Sequence, residues 1–344
     1  MRAVTFQAPM EVRVEERPDP VLESRDDAIV AIEASGICGS DLHIYHGRVK
    51  MEPGFTIGHE FVGRVVDIGD AVTRVAVGDR VCGCFHTACG TCFYCLRGAY
   101  QKCERVRVFG HGEALGALPG TQADRALVPM ANLTLRPVPE SVSDDVALFA
   151  GDVMGTAYHA VHSAGVEPGD SVAVLGLGPV GLCAVQVALA AGAGPVLAVD
   201  SVEARLEVAR AFGAVPVHLT EENPRDVARK LTEGRGVAAA IDAVGHPDAL
   251  DLAIRLARSA GTVVAIGVYA EPCQVHMGIA WIKALTLRTG QANVIGHVDR
   301  VLSMLTAGTL DPTPLVSQHM ALDDAPEGYA IYDRREALKI VLRP

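Results

Sequence analysis

Four cysteines with regular spacing lie in the first half of the chain. They occupy the segment CGTCFYCLRGAYQKC at gaps of three, three and eight residues: Cys89, Cys92, Cys95 and Cys103. Four thiolates on one short segment can complete a tetrahedral zinc site, which leaves no position open for a substrate. The chain has 9 cysteines, an odd count, and no visible export signal, so metal ligation is favoured over a disulfide framework. The spacing therefore predicts a structural zinc site.

A glycine motif predicts a dinucleotide site. In VAVLGLGPVGL, Gly176, Gly178 and Gly181 have the GxGxxG spacing between a strand-like run and a helical one. Such glycines permit a tight turn, a close approach of the pyrophosphate and close packing of helix on strand. Asp200 ends the next strand-like run, where a carboxylate is expected to bind the adenosine ribose. This carboxylate would repel a 2′-phosphate, so NAD is predicted over NADP, although Arg205 in the following helix could soften the preference.

A second group of potential metal ligands is scattered along the chain. It consists of Cys38 in GICGSDLH, His59 and Glu60 in GHE, and Asp152 in GDVMG. Three of these residues also have a simpler interpretation, since Cys38 could belong to the core, His59 to a turn, and Asp152 could cap the helix that follows it. Spacing alone leaves a shared metal site as one hypothesis beside these.

Two secondary-structure patterns divide the chain. From Met1 to about Phe149, short β-rich runs alternate with glycine turns, which indicates an antiparallel, barrel-like unit that carries the cysteine cluster. Between Gly169 and about Arg288, strand-like and helical runs alternate, which indicates βαβ units around a parallel sheet. The run from Ser171 to Val199 has no charged residue, but its glycines and prolines break it into strand, helix and strand rather than a membrane span. The sequence predicts an α/β protein.

Composition and charge narrow the function classes further. The 344 residues include 35 glycines and 49% hydrophobic residues, which excludes a disordered chain and allows about two domains. The formal net charge of −11 disfavours nucleic acid as a partner. The N-terminus shows no long apolar segment, so no signal peptide is visible and a cytoplasmic location is expected.

The order of these motifs resembles one enzyme family. GHE followed by VGD, the spacing of Cys89 to Cys103, and GLGPVGL together resemble the zinc-dependent medium-chain alcohol dehydrogenases over almost the whole chain. The resemblance implies a GroES-like catalytic domain over residues 1–152, to which residues 291–344 return, and a Rossmann NAD-binding domain over 153–290. Many members have cysteine at the position of Asp152, whereas bacterial secondary-alcohol dehydrogenases have aspartate, so the pattern is closest to that branch.

The resemblance also implies roles for individual residues. Cys38, His59 and Asp152 would hold a catalytic zinc, and Glu60 would be the carboxylate beside it that can enter the metal's shell. Ser40 and His43 would carry the proton away from the substrate. Further residues have weaker matches: Thr156 and Val180 against the nicotinamide ring, Phe85 and Val49 in the substrate pocket, and Lys339 near the pyrophosphate.

The function implied by the resemblance is hydride transfer between an alcohol, secondary or small primary, and NAD, with two zinc ions per chain. A polyol or sugar dehydrogenase of the same superfamily is the first alternative, and it would require polar groups in a pocket that Phe85 and Val49 predict to be apolar. A dinucleotide-binding protein without catalytic activity is the second alternative. From the family, a homodimer or homotetramer and a small-molecule substrate are expected. Neither nucleic acid nor a membrane is expected as a partner.

Overall fold

The computed structural model describes residues 1–269 and 271–344. In chain order, the strands are β1 (Arg2–Ala8), β2 (Glu11–Glu16), β3 (Ala28–Ile37), β4 (Phe55–Thr56), β5 (Glu60–Ile68), β6 (Arg80–Gly83), β7 (Arg125–Val128), β8 (Leu135–Pro137), β9 (Val172–Leu175), β10 (Val196–Asp200), β11 (Val215–His218), β12 (Val237–Asp242), β13 (Ala257–Ala265), β14 (Thr286–Thr289), β15 (Val316–Ala321) and β16 (Lys339–Arg343). The α-helices are α1 (Gly39–Tyr45), α2 (Ala131–Thr134), α3 (Asp144–Ala147), α4 (Val153–Ala164), α5 (Pro179–Ala190), α6 (Glu203–Ala211), α7 (Pro224–Leu231), α8 (Pro247–Leu256), α9 (Met277–Ile282), α10 (Val294–Thr306) and α11 (Ala325–Asp333).

The chain forms two compact units. The first contains Met1–Gly155 and Asn293–Pro344, and the second contains Thr156–Ala292. The run from Ser171 to Val199 forms β9, α5 and most of β10, so the predicted order of strand, helix and strand is confirmed. No helix among residues 1–269 and 271–344 is long and apolar enough to cross a membrane.

A mixed sheet organises the first unit. Its strand order is β15-β16-β3-β5-β6-β8, with β7 also paired to β3, and all of these pairs except β15 with β16 are antiparallel. Along β5, residues 60–63 are all buried, whereas most of those from Arg64 onward are exposed or half-buried, so only the first part of the strand is covered on both faces. Its core includes Phe61, Phe109 and Leu135. The register fixes the site described below, because Gly36 of β3 pairs with Glu60 of β5 and Ile340 of β16 pairs with Ile37.

The second unit has a parallel sheet with the strand order β11-β10-β9-β12-β13-β14. This is the 3-2-1-4-5-6 order of the Rossmann fold, counted from β9. The central strand β9 is fully buried and apolar, as expected for a strand covered on both faces. Ligands of such sheets bind outside the carboxyl ends of the strands, where the strand order reverses between β9 and β12.

Candidate functional site

The four scattered residues of the sequence analysis converge in the first unit. Cys38 follows β3, His59 precedes the neighbouring β5, Glu60 begins that strand, and Asp152 precedes α4. Each of the four residues is buried, and one potential ligand atom from each lies within 4.8 Å of those of the other three. Asp152 Oδ2 lies 3.1 Å from His59 Nε2 and 3.5 Å from Cys38 Sγ. Ligand atoms about 3 to 4 Å apart are what a tetrahedral zinc with bonds of about 2.0 to 2.3 Å requires.

The charges of this cluster fit a divalent cation. Burial, with the carboxylates of Glu60 and Asp152 adding to it, raises the pKa of the Cys38 thiol to about 11. Two carboxylates and a thiol that must lose its proton to ligate would place excess negative charge in a buried volume, which is costly without a compensating ion. A thiolate, an imidazole and a carboxylate are donors that zinc accepts. We conclude that these residues fit a zinc ion.

Asp41 is a residue of this site that the sequence analysis missed. Its side chain is fully buried, and Oδ2 accepts hydrogen bonds from the backbone N–H of Cys38 at 3.0 Å and from Gln122 Nε2 at 3.3 Å. Asp41 Oδ1 lies 3.1 Å from His59 Nδ1. The two atoms form an ion-pair contact and not an aligned hydrogen bond. A carboxylate beside Nδ1 favours metal binding through Nε2. Its signal in the sequence was a carboxylate three residues after Cys38, at the third helical position of α1, where it completes a capping box.

Lys339 forms a buried ion pair with Glu60. The sequence analysis expected it near the pyrophosphate, and its side chain is fully buried in the first unit. Its ammonium donates to Glu60 Oε1 at 2.8 Å, to Glu60 Oε2 at 2.7 Å and to the carbonyl of Ile37 at 3.1 Å. Although burial opposes the ammonium charge, the Glu60 carboxylate raises the pKa of Lys339. The pairing of β16 with β3 places Lys339 beside Glu60, and its place near a pyrophosphate stays a prediction.

The two residues of the predicted proton relay lie on α1. The hydroxyl of Ser40 is 3.1 Å from His59 Nε2, so Ser40 borders the cluster of potential zinc ligands. His43 lies one turn further along α1 and is half-buried. Burial, together with the positive charge of Arg48, lowers the pKa of His43. A neutral imidazole at this place is able to accept a proton in the neutral pH range.

Aromatic and histidine rings line one side of His59. The ring of Phe85 makes an edge contact with that of His59 at a centroid distance of 6.4 Å, and His111 makes one at 5.1 Å. Phe85 is therefore beside the cluster, as predicted for a residue of the substrate pocket. Val49 packs against the apolar core that contains Ile44, and its place in the substrate pocket stays a prediction. This wall is more polar than the sequence analysis expected.

The four regularly spaced cysteines also converge. The sulfur atoms of Cys89, Cys92, Cys95 and Cys103 all lie within 4.8 Å of one another. The sulfur of Cys103 accepts hydrogen bonds from the backbone N–H groups of Cys89, at 3.2 Å, and Arg105, at 3.3 Å. Against the opposing effect of burial, hydrogen bonds from the backbone of Thr91 and from Arg105 lower the pKa of Cys89 to about 5. Sulfurs that accept N–H groups at these separations fit a tetrahedral zinc.

The glycine motif of the second unit has the geometry that phosphates need. Gly176 follows β9 with a φ of +84°, a left-handed conformation that favours glycine. A Cβ at Gly181 would collide with the carbonyl oxygen of Gly176, so the third glycine permits α5 to pack on the strand. A Cβ at Gly178 would meet no atom within 4 Å, which leaves open space in front of the N-terminus of α5. A pyrophosphate placed there would meet free N–H groups and the positive end of the helix dipole.

The remaining cofactor candidates lie at the end of β10 and on α4, α5 and α6. Asp200 ends β10, and its carboxylate accepts from the backbone N–H of Leu177 at 2.6 Å, within the motif itself. Arg205 approaches the same carboxylate at 3.7 Å. Thr156 on α4 and Val180 on α5 are half-buried. Asp200 is thus fixed between the glycine turn and α6, where a ribose hydroxyl would be recognised.

Comparison with known proteins agrees with this architecture. The family model of the alcohol dehydrogenase GroES-like domain matches residues 24–140, and that of the zinc-binding dehydrogenases matches residues 179–305. An uncharacterized zinc-type alcohol dehydrogenase-like protein of Bacillus subtilis is 35% identical, with both chains covered completely.

Solved structures give the same result. The alcohol dehydrogenase TADH from Thermus sp. ATN1 is 44% identical, with a TM-score of 0.96 over 100% of this chain and 99% of that one. The 2R,3R-butanediol dehydrogenase from Bacillus subtilis is 28% identical, with a TM-score of 0.87 over 100% and 99%. These matches confirm the predicted fold of a GroES-like unit and a Rossmann unit. The chain therefore belongs to the zinc-dependent, medium-chain alcohol dehydrogenase family.

Proposed function

We propose that the protein oxidises an alcohol to a ketone or aldehyde with NAD, on a zinc ion held by Cys38, His59 and Asp152. The observation that carries this proposal is the convergence of one buried ligand atom from each of these residues, with Glu60 beside them. Three protein ligands leave a fourth position for the substrate oxygen, as in other catalytic zinc sites. The similarity to zinc-type alcohol dehydrogenases supports the same reaction.

The chain's own residues have distinct parts in this reaction. Zinc bound at the cluster would supply a Lewis acid that lowers the pKa of the alcohol hydroxyl. Asp41 orients the His59 ring, and Lys339 holds the Glu60 carboxylate through both of its oxygens. In this proposal Ser40 takes the hydroxyl proton and His43 receives it, which the 3.1 Å separation of the Ser40 hydroxyl from His59 Nε2 supports.

We further propose that the four clustered cysteines hold a second, structural zinc. The sulfur atoms of Cys89, Cys92, Cys95 and Cys103 would occupy all four positions of a tetrahedral ion. The account then requires two zinc ions per chain. A dinucleotide-binding protein without catalysis would need only the Rossmann unit, and it would not need the buried cluster around His59.

The oligomeric state is part of the proposal. We infer a homodimer or homotetramer, supported by the edge strand β14, whose four side chains are exposed, and by the neighbouring Trp281 and Ile282, which are 80% and 77% exposed. Exposed apolar groups beside an unpaired strand edge are typical of an interface. A cytoplasmic location stays a prediction of the sequence.

The coenzyme preference is testable at Asp200. We expect kcat/KM with NAD to exceed that with NADP by at least about tenfold, because a 2′-phosphate would approach the Asp200 carboxylate as a like charge. Asp200→Asn keeps an oxygen that can accept from Leu177 N–H but removes the charge, so it should shrink this ratio. Initial rates with both coenzymes measure the effect. Arg205→Gln is the matched control, since it leaves the carboxylate in place and should raise the preference for NAD. A wild-type enzyme that prefers NADPH would contradict the assignment.

The proton relay predicts a pH dependence. His43 accepts a proton only when its imidazole is neutral, and its pKa is below the ordinary value of 6.5. The rate of alcohol oxidation through the relay should therefore fall as pH drops through that lowered pKa, and it should stay high above it. His43→Gln should slow turnover about tenfold or more and change the acid side of the kcat profile.

Ser40→Ala separates this relay from a general structural defect. The alanine variant should lower kcat strongly while zinc content, measured by metal analysis, stays near that of the wild type. Equal losses of kcat and zinc would show that Ser40 supports the fold of the cluster instead. If the acid side of the kcat–pH profile is unchanged in His43→Gln, His43 is not the proton acceptor.

A further inference from the structure

A buried glutamine connects three segments around the cluster of potential zinc ligands. Gln122 lies just before β7, and its side chain is fully buried. Its Nε2 donates to the carbonyl of Gly36 at 2.9 Å and to Asp41 Oδ2 at 3.3 Å, and its Oε1 accepts from the hydroxyl of Tyr329 at 2.9 Å. Both polar atoms of the amide are therefore used, as expected for a polar group removed from water.

The orientation of this amide has one solution. The carbonyl of Gly36 and the ionised carboxylate of Asp41 can only accept, so they require the NH2 group, and the hydroxyl of Tyr329 donates to the amide oxygen. A flipped amide would place its oxygen beside two acceptors. The side chain thus joins the end of β3, the first turn of α1 and the middle of α11.

The backbone fixes Gln122 next to His59. The N–H of Gln122 donates to the carbonyl of Ile57 at 3.1 Å, and its carbonyl accepts from Val4 N–H at 2.8 Å. Gly58, the residue before His59, has a φ of +91°, and a Cβ there would come within 2.4 Å of Gln122 Cγ. The chain therefore passes tightly against the glutamine immediately before a proposed zinc ligand.

The buried carboxylate of Asp41 depends on this amide. In the described part of the chain, the groups that donate to Asp41 Oδ2 are the backbone N–H of Cys38, at 3.0 Å, and Gln122 Nε2. A fully buried carboxylate is costly unless hydrogen bonds or an opposite charge stabilise it. Asp41 Oδ1 lies 3.1 Å from His59 Nδ1, so the placement of this carboxylate acts on the ring whose Nε2 lies beside Asp152. Without the amide, the carboxylate would lose a donor that holds it beside that ring.

We propose, on the basis of the zinc site proposed above, that Gln122 is a positioning residue: through the Asp41 carboxylate it holds the His59 ring in place for the zinc ion. Tyr329 supports it from α11 by fixing the amide oxygen. Removal of a group directly behind a metal ligand weakens metal binding by roughly ten- to a hundredfold. Gln122 acts one step further from the metal, so we expect an effect at the lower end of that range.

The test measures zinc retention by equilibrium dialysis against a series of chelating zinc buffers, followed by metal analysis and an activity assay of the same samples. The four-cysteine cluster is the internal reference, because it lies in the same unit and its sulfurs belong to residues outside this network. Gln122→Met keeps the length of the side chain and removes the amide. It should weaken zinc binding at the proposed catalytic site by roughly tenfold, with activity lost in parallel, and change binding at the other site by less than about twofold.

Two further variants make the result specific. Tyr329→Phe removes the donor to the amide oxygen and keeps both contacts of the NH2 group, so it should weaken binding at the proposed catalytic site by a smaller factor, about threefold. Gln318→Met is the matched control, because it makes the same chemical change at an exposed position of β15 and should leave both sites unchanged.

The outcomes are distinguishable. If the wild type retains no zinc at the proposed catalytic site and oxidises no alcohol, the proposed function fails and this inference fails with it. If the wild type holds two zinc ions and is active, but Gln122→Met binds both as tightly as the wild type, or loses both together with a lower melting temperature, this inference alone is overturned. If Gln122→Met does not fold, Tyr329→Phe decides, and wild-type zinc binding in that variant overturns the proposal.

Discussion

Replacing Cys38 with serine should lower kcat/KM for alcohol oxidation by about a thousandfold or more and remove one of the two zinc ions expected per chain. The reason is that a Lewis acid contributes several kcal/mol to the oxidation and that a thiolate is the strongest zinc donor of the cluster. The buried Cys38 thiol has a raised pKa of about 11, so a bound cation is needed to hold it as a thiolate. Steady-state kinetics and metal analysis of the same preparations measure both effects.

Two further variants control this experiment. Cys273→Ser changes a half-buried cysteine of the second unit and should alter neither zinc content nor turnover. Cys92→Ser should remove the other zinc and lower the melting temperature, because the zinc proposed at the four-cysteine site stabilises the fold and does not bind the substrate. Full activity in Cys38→Ser would contradict the proposed catalytic site.

Replacing Lys339 with methionine should lower the free energy of unfolding by about 3 to 5 kcal/mol, because it leaves the Glu60 carboxylate buried without its cation. Both side chains are at most 1% exposed, and the ammonium contacts both carboxylate oxygens. Denaturant unfolding of wild type and variant at equal zinc loading measures the loss.

A double variant distinguishes the effect of leaving Glu60 without its cation from the effect of removing the Lys339 side chain. Glu60→Gln with Lys339→Met removes both charges and should recover much of the stability lost in Lys339→Met. The double variant should nevertheless turn over more slowly than the wild type, because Glu60 lies within the metal cluster. If the double variant is as unstable as Lys339→Met, the ion pair does not account for the loss.

The local sequence was sufficient to predict those sites whose residues are close together in the chain. The glycines of the dinucleotide motif lie between one strand and one helix, and the four cysteines lie on one short segment, so their spacing already fixes their geometry. The alternation of strands and helices likewise predicted the parallel sheet of the second unit, which the structure confirms.

The proposed catalytic cluster could not be derived from spacing in the same way. The pairing of β3 with β5, with Gly36 opposite Glu60, brings Cys38 close to His59. Asp152 is held near them because the backbone N–H of Phe85, which follows β6, donates to the carbonyl of Gly151. A family resemblance supplied that long-range information for these three residues.

For other residues the family resemblance did not supply the long-range contacts. The pairing of β16 with β3 moves Lys339 into the core, where the sequence analysis did not place it. Asp41 was missed because its importance rests on a side-chain contact with His59. That contact has no period or fixed spacing in the sequence.

Anomalous diffraction at the zinc absorption edge, on crystals of the active enzyme, tests the central claim most directly. The account predicts two zinc peaks per chain. One should lie within about 2.0 to 2.3 Å of Cys38 Sγ, His59 Nε2 and a carboxylate oxygen of Asp152, and the other among the four clustered sulfurs. An active enzyme with no peak at the first position, or with a peak that only one of those three residues contacts, would contradict it.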